Sequence, residues 1–378
     1  MSMKAAVVKG NSTIEIKNIE KQSLGPGDIL VKMGACGICG SDVEKVFGKY
    51  GQPSMRLGHE PAGTIMEVGS EVSNFVVGQR VFTHHHVACR SDDCHECSHH
   101  NETMCKKYSE SNLEPCGLAD EYVVPEWNVK HGGVLRISHH MSFDQAAMIE
   151  PLACCVRAWT SVIRGQLSPY QASSELVRAL KFEGYRNQNR NNSVAILGVG
   201  PTGIMHAMLA KYHGFGKIFC LDLNEFRLNF VKKIKMLQEQ GDFNTITINP
   251  GIPNERTWIK SETANQGVDV AIVATSSLNA LKDAVSFVRK GGTIVMFGVP
   301  SKGANIELDM SEIYSKSITI VNSYAAGDDD IRWAHQLIKL GRINVSQLIT
   351  HRYHLEDCQR AFEHAKSGDN AMKIIISN

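Results

Sequence analysis

The stretch 193–203, Ser-Val-Ala-Ile-Leu-Gly-Val-Gly-Pro-Thr-Gly, narrows most sharply what this chain can fold into. An apolar run, a G-x-G-x-x-G turn and the start of a helical pattern near Thr202 follow one another without interruption. In that order each glycine has a physical task. Gly198 admits a tight turn, Gly200 lets backbone approach a pyrophosphate, and Gly203 allows a helix to pack closely on a strand. The helix start at Pro201 and Thr202 directs backbone N–H groups at the phosphate. Asp222 closes the next apolar run, nineteen residues beyond Gly203. Its carboxylate can accept from both ribose hydroxyls and would repel a 2′-phosphate, which favours NAD over NADP. Arg227, five residues on, is a cation able to accommodate that phosphate, so NADP stays as the lesser alternative.

From 193 onward, apolar runs at 193–197, 217–221, 245–248, 268–274, 293–297 and 317–321 alternate with helical stretches. Such alternation predicts an α/β domain with a doubly wound parallel sheet. Residues 1–155 read differently: short β-like runs at 4–8, 29–33, 62–68 and 80–83, separated by glycine turns, predict a β-rich domain. A length of 378 residues exceeds what one core usually organises. The expected division is 1–155, then 156–325, then 326–378, the last with helices near 330–340 and 355–366 and a strand at 373–376 that returns to the first domain. The bridge 165–192 carries helix signals of its own: Ser168 as cap, Pro169 at the first turn, Gln171 completing a capping box, and Gly184 as stop. Its apolar stripe reads either as a surface helix in a linker or as an assembly contact or cleft cover.

Apolar residues make up 43% and charged residues 21%, which excludes disordered and collagen-like classes. The formal charge of +1 gives no global field for nucleic acid or an anionic membrane, so a small or neutral partner is expected. Residues 1–10 lack a signal-peptide pattern, and no stretch reads as a membrane span. Eleven cysteines, four of them clustered, point to metal ligation in a reducing compartment, with cytoplasm as the expectation. The sequons at Asn11, Asn101 and Asn344 are then accidental.

Cys89, Cys94, Cys97 and Cys105 form C-x4-C-x2-C-x7-C in a polar loop. Four thiolates fill a tetrahedral zinc and leave no position for a reacting water, so this site is expected to be structural. A second constellation is dispersed: Gly37-Ile-Cys39-Gly-Ser41-Asp42, Gly58-His59-Glu60 and Glu150-Pro151. Each piece alone reads as ordinary structure, but together they supply the mixed sulfur, nitrogen and oxygen donors of a catalytic zinc.

At these residues the chain resembles the zinc-containing medium-chain dehydrogenases, especially their sorbitol and polyol dehydrogenase branch. The motifs occur in family order along nearly the whole chain. The resemblance implies a GroES-like β-rich catalytic domain, completed by the C-terminal tail, and a Rossmann cofactor domain between its pieces. It implies Cys39 and His59 as zinc ligands, with Glu60 and Glu150 as alternatives for the remaining protein position. Thiolate, neutral imidazole and one carboxylate leave zinc formally neutral, whereas both carboxylates would make the site anionic and fill the position needed by substrate.

The implied chemistry is oxidation of an alcohol held at zinc, its hydride passing to the nicotinamide. Ser41 resembles the family's proton-accepting hydroxyl, and reads equally as an N-cap for the helix that follows. Glu44 stands where many polyol dehydrogenases have a relay histidine, and reads either as the next base or as a solvated first-turn charge. The first gap of the cysteine loop is x4 where the family usually has x2. Related enzymes form homotetramers or dimers, so a homo-oligomer is expected. A polyol, sugar, secondary alcohol, amino alcohol or small carbonyl would serve as substrate. The competing readings are a zinc-free quinone or enone reductase of the same superfamily, and a non-catalytic nucleotide-binding homologue.

Overall fold

The computed structural model describes residues 2–10, 12–21, 23–48, 56–166, 190–238 and 243–378. The chain divides into two compact units, Met1–Ala153 with Ala325–Asn378, and Cys154–Tyr324. The capped helix expected within 165–192 lies outside the described residues, apart from the bridge's ends.

The first unit holds β1 (Ser2–Gly10), β2 (Thr13–Glu20), β3 (Ile29–Gly37), β4 (Glu60–Val68), β5 (Arg80–Thr83), β6 (Glu121–Val124) and β7 (Val134–Arg136). The second holds β8 (Ser193–Leu197), β9 (Lys217–Leu221), β10 (Asn244–Ile248), β11 (Val268–Val273), β12 (Val288–Met296) and β13 (Thr319–Asn322). Two more strands, β14 (Ile349–His354) and β15 (Lys373–Ser377), belong to the returning tail.

In the first unit β1 and β2 pair antiparallel, and a seven-stranded sheet runs β14-β15-β3-β4-β5-β7, with β6 also on β3. The central β3 is buried at Ile29, Leu30, Val31, Met33, Ala35 and Cys36, which explains its nearly unbroken apolar sequence. The tail does return: β15 pairs antiparallel with β3, Ile375 opposite Gly37 and Ile376 opposite Cys36. The helix expected at 355–366 is a 3₁₀ turn, Leu355–Asp357, followed by an α-helix, Cys358–Ser367.

One expectation is corrected here. The stretch Phe143–Ile163 is long and apolar enough to cross a membrane, with a mean hydropathy of 1.3 over its best window. Yet 83% of that window is buried within the protein, and a mostly apolar helix is what a core position selects. A capping box starts it: Ser142 Oγ accepts from Gln145 N, and Gln145 Oε1 accepts from Ser142 N.

The second unit is a six-stranded, wholly parallel sheet in the order β10-β9-β8-β11-β12-β13. The order reverses at β8, which lies between β9 and β11, and in such sheets ligands bind beyond the carboxyl end of the strands at that point. The strand expected at 317–321 begins at Thr319, because Ser317 takes a left-handed φ of 53° after the helix Met310–Ser315. β12 is longer than expected, starting at Val288.

Candidate metal centres and dinucleotide site

Register brings the dispersed motifs together. β3 and β4 are antiparallel with Gly37 opposite Glu60, so the chain leaving β3 carries Cys39 past the chain that enters β4 with His59. Cys39 then precedes the helix Gly40–Phe47 as its N-cap residue. One ligand atom each from Cys39, His59 and Glu60 lies within 4.8 Å of the others. Glu150, in the first turn of the helix Ile149–Gln166, places Oε2 4.0 Å from His59 Nε2. Gly37 makes room for this cluster, since a Cβ there would stand 1.8 Å from Glu60 Oε2.

Two buried charges that the motifs did not single out complete the centre. Asp42, fully buried, sets Oδ2 3.0 Å from His59 Nδ1, at ion-pair distance but off the hydrogen-bond line. Nε2 is then the nitrogen towards Glu150, 4.0 Å from its Oε2, and the Nδ1 side is where carboxylates stand when they orient metal-binding imidazoles. Burial alone would raise the Asp42 carboxyl, but His59 and then Lys45, 3.1 Å away, hold it well below the usual carboxylate range. On the other side Lys373 Nζ lies 2.5 Å from Glu60 Oε2, both side chains buried. Burial lifts the Glu60 carboxyl above its ordinary value against the opposing pull of Lys373. The lysine also changes the charge argument. A dication, one thiolate and two carboxylates carry a net negative charge, and Lys373 cancels it.

The four cysteines of the loop also converge, with one Sγ each within 4.8 Å of the rest. Cys89 is 3.7 Å from Cys97 and 3.6 Å from Cys105, and Cys94 is 3.9 Å from Cys105. A tetrahedron with Zn–S near 2.3 Å has edges of about 3.8 Å, so the thiols already stand at the spacing zinc requires. Desolvation pushes the Cys105 thiol up, but N–H donors at Cys89, Tyr108 and Lys107 outweigh it and bring it to about 7, towards the thiolate a metal needs. Cys89 joins the set despite the longer gap, and Arg90 directly after it adopts a left-handed φ of 52°.

In the second unit the glycine turn is built as expected. Gly198 has φ 94°, and a Cβ on Gly203 would lie 2.0 Å from Gly198 O, so both positions require glycine. The helix Pro201–Tyr212 starts after Gly200 with no side-chain cap, which leaves its first N–H groups free for a phosphate. A Cβ on Gly200 would meet nothing closer than Arg227 Nη1 at 4.0 Å. Asp222 stands beyond β9, where Oδ2 accepts from Val199 N at 2.9 Å and Oδ1 from Asn224 N at 2.9 Å. Arg227 Nη1 lies 3.4 Å from Asp222 Oδ2.

Comparison with known proteins agrees with this geometry. Residues 25–132 match the alcohol dehydrogenase GroES-like domain, and residues 201–339 match the zinc-binding dehydrogenase family. The chain is 30% identical to a sorbitol dehydrogenase of Bacillus subtilis, covering 99% of this chain and 97% of that protein. It belongs to the zinc-containing medium-chain alcohol and polyol dehydrogenases. Within this family it is 28% identical to a D-xylulose reductase A of Aspergillus niger, over 93% of the chain and 89% of that protein. Its fold matches the crystal structure of a 2R,3R-butanediol dehydrogenase from Bacillus subtilis with a TM-score of 0.78 at 23% identity, covering both chains fully.

For a medium-chain dehydrogenase, two expected residues sit less centrally than their motif suggests. Ser41 is the second residue of the helix and not its cap, so the capping alternative is corrected: the N-cap is Cys39. Ser41 and Glu44 are both exposed on that helix, and no hydrogen bond joins them among the described residues. The first-turn acid is Asp42, and Glu44, two residues on, falls outside the first turn. Asp42 had a signal in the sequence, an acid on the buried side of an amphipathic helix; Lys373 had one too, a lysine opening an otherwise apolar strand.

Proposed function

We propose that this chain reversibly oxidises a secondary hydroxyl of a small polyol or sugar alcohol to the ketone, using NAD in preference to NADP. The observation that carries the reading is the convergence of Cys39, His59 and Glu60, three unlike donors from two strand ends, beside the buried Glu150. Zinc held there would act as a Lewis acid on the substrate hydroxyl, while the nicotinamide accepts the hydride. Asp42 fixes the orientation of His59, and Lys373 holds Glu60 in place and offsets its charge. With Glu60 engaged by lysine, Glu150 is the carboxylate that can approach or leave the metal position. Ser41 is the proposed first acceptor of the hydroxyl proton, its side chain lying exposed at the start of the helix. The four-cysteine loop is the proposed structural zinc site, its thiols 3.6–3.9 Å apart, and cysteines clustered for metal ligation suit a reducing compartment such as the cytoplasm.

The NAD preference rests on Asp222, already anchored by two backbone donors where the ribose hydroxyls would lie. Arg227 is paired with that carboxylate, which weakens its claim on a 2′-phosphate. A homo-oligomer is proposed on the short edge strand β13, which leaves Ile320 partly exposed, and on Tyr314, 89% exposed in the helix before it. The test is a set of initial rates on zinc-loaded protein with vicinal polyols and simple secondary alcohols, each with NAD and NADP. Polyol oxidation with NAD giving the higher kcat/KM is expected, and Asp222→Ala should narrow that ratio by about tenfold, the worth of one charge-assisted hydrogen bond. Turnover that does not depend on the metal, or a clear NADP preference, would reject the respective part of the reading.

A further inference from the structure

The x4 gap of the cysteine loop introduces Arg90 directly after Cys89, and its guanidinium leaves the lobe. Arg90 Nε lies 2.8 Å from Asp328 Oδ2. Asp328 opens the helix Asp328–Lys339, where the returning tail re-enters the first unit, and its side chain is only 5% exposed. The other oxygen, Oδ1, lies 3.5 Å from Nδ1 of His84, a side chain 1% exposed whose two ring nitrogens have no hydrogen-bond partner among the described residues. One buried carboxylate thus stands between the lobe and the turn that follows β5.

That turn leads to the catalytic cluster. The ring of His84 meets His85 edge-on at 5.5 Å, and His85 lies 5.1 Å from the ring of His59. The backbone of the turn is fixed independently: Asn128 Nδ2 donates to the carbonyls of His84 and His85, and His84 N donates to Gly133 O. With the backbone so held, the orientation of the His84 and His85 rings is the freedom that remains for Asp328 to set. On the lobe side the return segment makes a second attachment, as Tyr108 Oη donates to Ala326 O at 2.9 Å and Ala325 packs against the small cluster of Ala88, Cys105 and Tyr108.

We infer that Asp328 is a positioning residue that couples the two metal centres, holding the four-cysteine lobe through Arg90 and the His59 ring through His84 and His85. The inference rests on the assignment of Cys39, His59 and Glu60 as a metal site. Coupling of this kind is a free energy shared by both ends, so a change at either end must be felt at the other.

The experiment uses full-length protein with zinc in the four-cysteine lobe and cobalt exchanged into the Cys39–His59 site. The cobalt d–d spectrum reports the catalytic ligands, and the rate at which pyridylazoresorcinol removes zinc reports the lobe. Arg90→Gln touches only the lobe end and should alter the cobalt spectrum, with Arg90→Lys restoring it. His84→Asn touches no lobe cysteine and should speed zinc loss from the lobe by about two- to thirtyfold, the span of couplings carried by packed networks. If either variant moved only the readout at its own end, the coupling would be overturned. Absence of a cobalt spectrum in the unmodified chain would instead overturn the metal-site assignment and the coupling with it.

Discussion

The two metal centres of the first unit solve the same coordination problem in opposite ways. The four-cysteine lobe draws every donor from a span of 17 residues, Cys89 to Cys105, and all four are alike. The mixed cluster gathers Cys39, His59 and Glu60 from strand ends, with Glu150 beside them on a distant helix and buried counter-charges in Asp42 and Lys373. A closed, uniform thiolate set favours tenacity, whereas unlike donors with a second carboxylate nearby leave room for a reacting ligand. The contrast teaches that the lobe is built by local chain geometry and the mixed centre by the fold.

The sharpest way to break this contrast is to remove one ligand from each. Cys39→Ala should lower kcat/KM by on the order of 10³-fold, because the metal's stabilisation of developing charge amounts to several kcal/mol, while Tm stays within about 5 °C. Cys97→Ala should do the reverse and lower Tm by about 10 °C, since structural metal binding contributes directly to folding. Steady-state rates and calorimetry on both variants decide it, and equal losses of stability would erase the distinction.

Next in size is the counter-charge. In the metal-free protein, Lys373→Met strips the buried Glu60 carboxylate of its ammonium partner, which should cost about 3–5 kcal/mol in denaturant unfolding. Adding Glu60→Gln should recover much of that loss. Unchanged stability in the single variant would mean that Lys373 is not what compensates the centre.

A smaller effect is expected at Asp42, which stands 3.0 Å from His59 Nδ1 and is not itself one of the proposed ligands. Asp42→Asn should weaken zinc affinity at the mixed centre by about 10–100-fold and leave the lobe's affinity untouched, as competition titration with a chelator can measure. Weakening at both sites alike would point to general unfolding.

The smallest effect concerns Glu44. With Ser41 and Glu44 exposed and unlinked, Glu44→Gln should change kcat for alcohol oxidation by less than about twofold, under conditions where hydride transfer limits the rate. A tenfold fall with an altered pH–rate profile would put the Glu44 carboxylate in the proton path after all.

The dinucleotide unit was legible in the sequence because each of its inner strands is buried on both faces, so that Ser193–Leu197 and Val268–Val273 appear as continuous apolar runs. The first unit was less so. β2, Thr13–Glu20, carries Asn18 and Glu20 on the same face as Ile14 and Ile16, which breaks its alternation, and β6, β7 and β14 are short or half-exposed. The cysteine lobe could be read from spacing alone. For the mixed centre the motifs named the donors, but the partners of those donors depend on register: Lys373 reaches Glu60 because β15 lies on β3, a pairing across more than 300 residues that no local pattern encodes.

The division of the first unit also has a consequence for synthesis. The ribosome delivers Cys39, His59, Glu60 and Glu150 early, then the whole of Cys154–Tyr324, and only afterwards β15 with Lys373. Until then closure of the catalytic unit would bury Glu60 without Lys373 and leave the Cys36–Gly37 end of β3 without its β15 partner. Charge repulsion and an unpaired strand end both disfavour early closure, so the dinucleotide unit can fold first while the mixed centre waits for the tail.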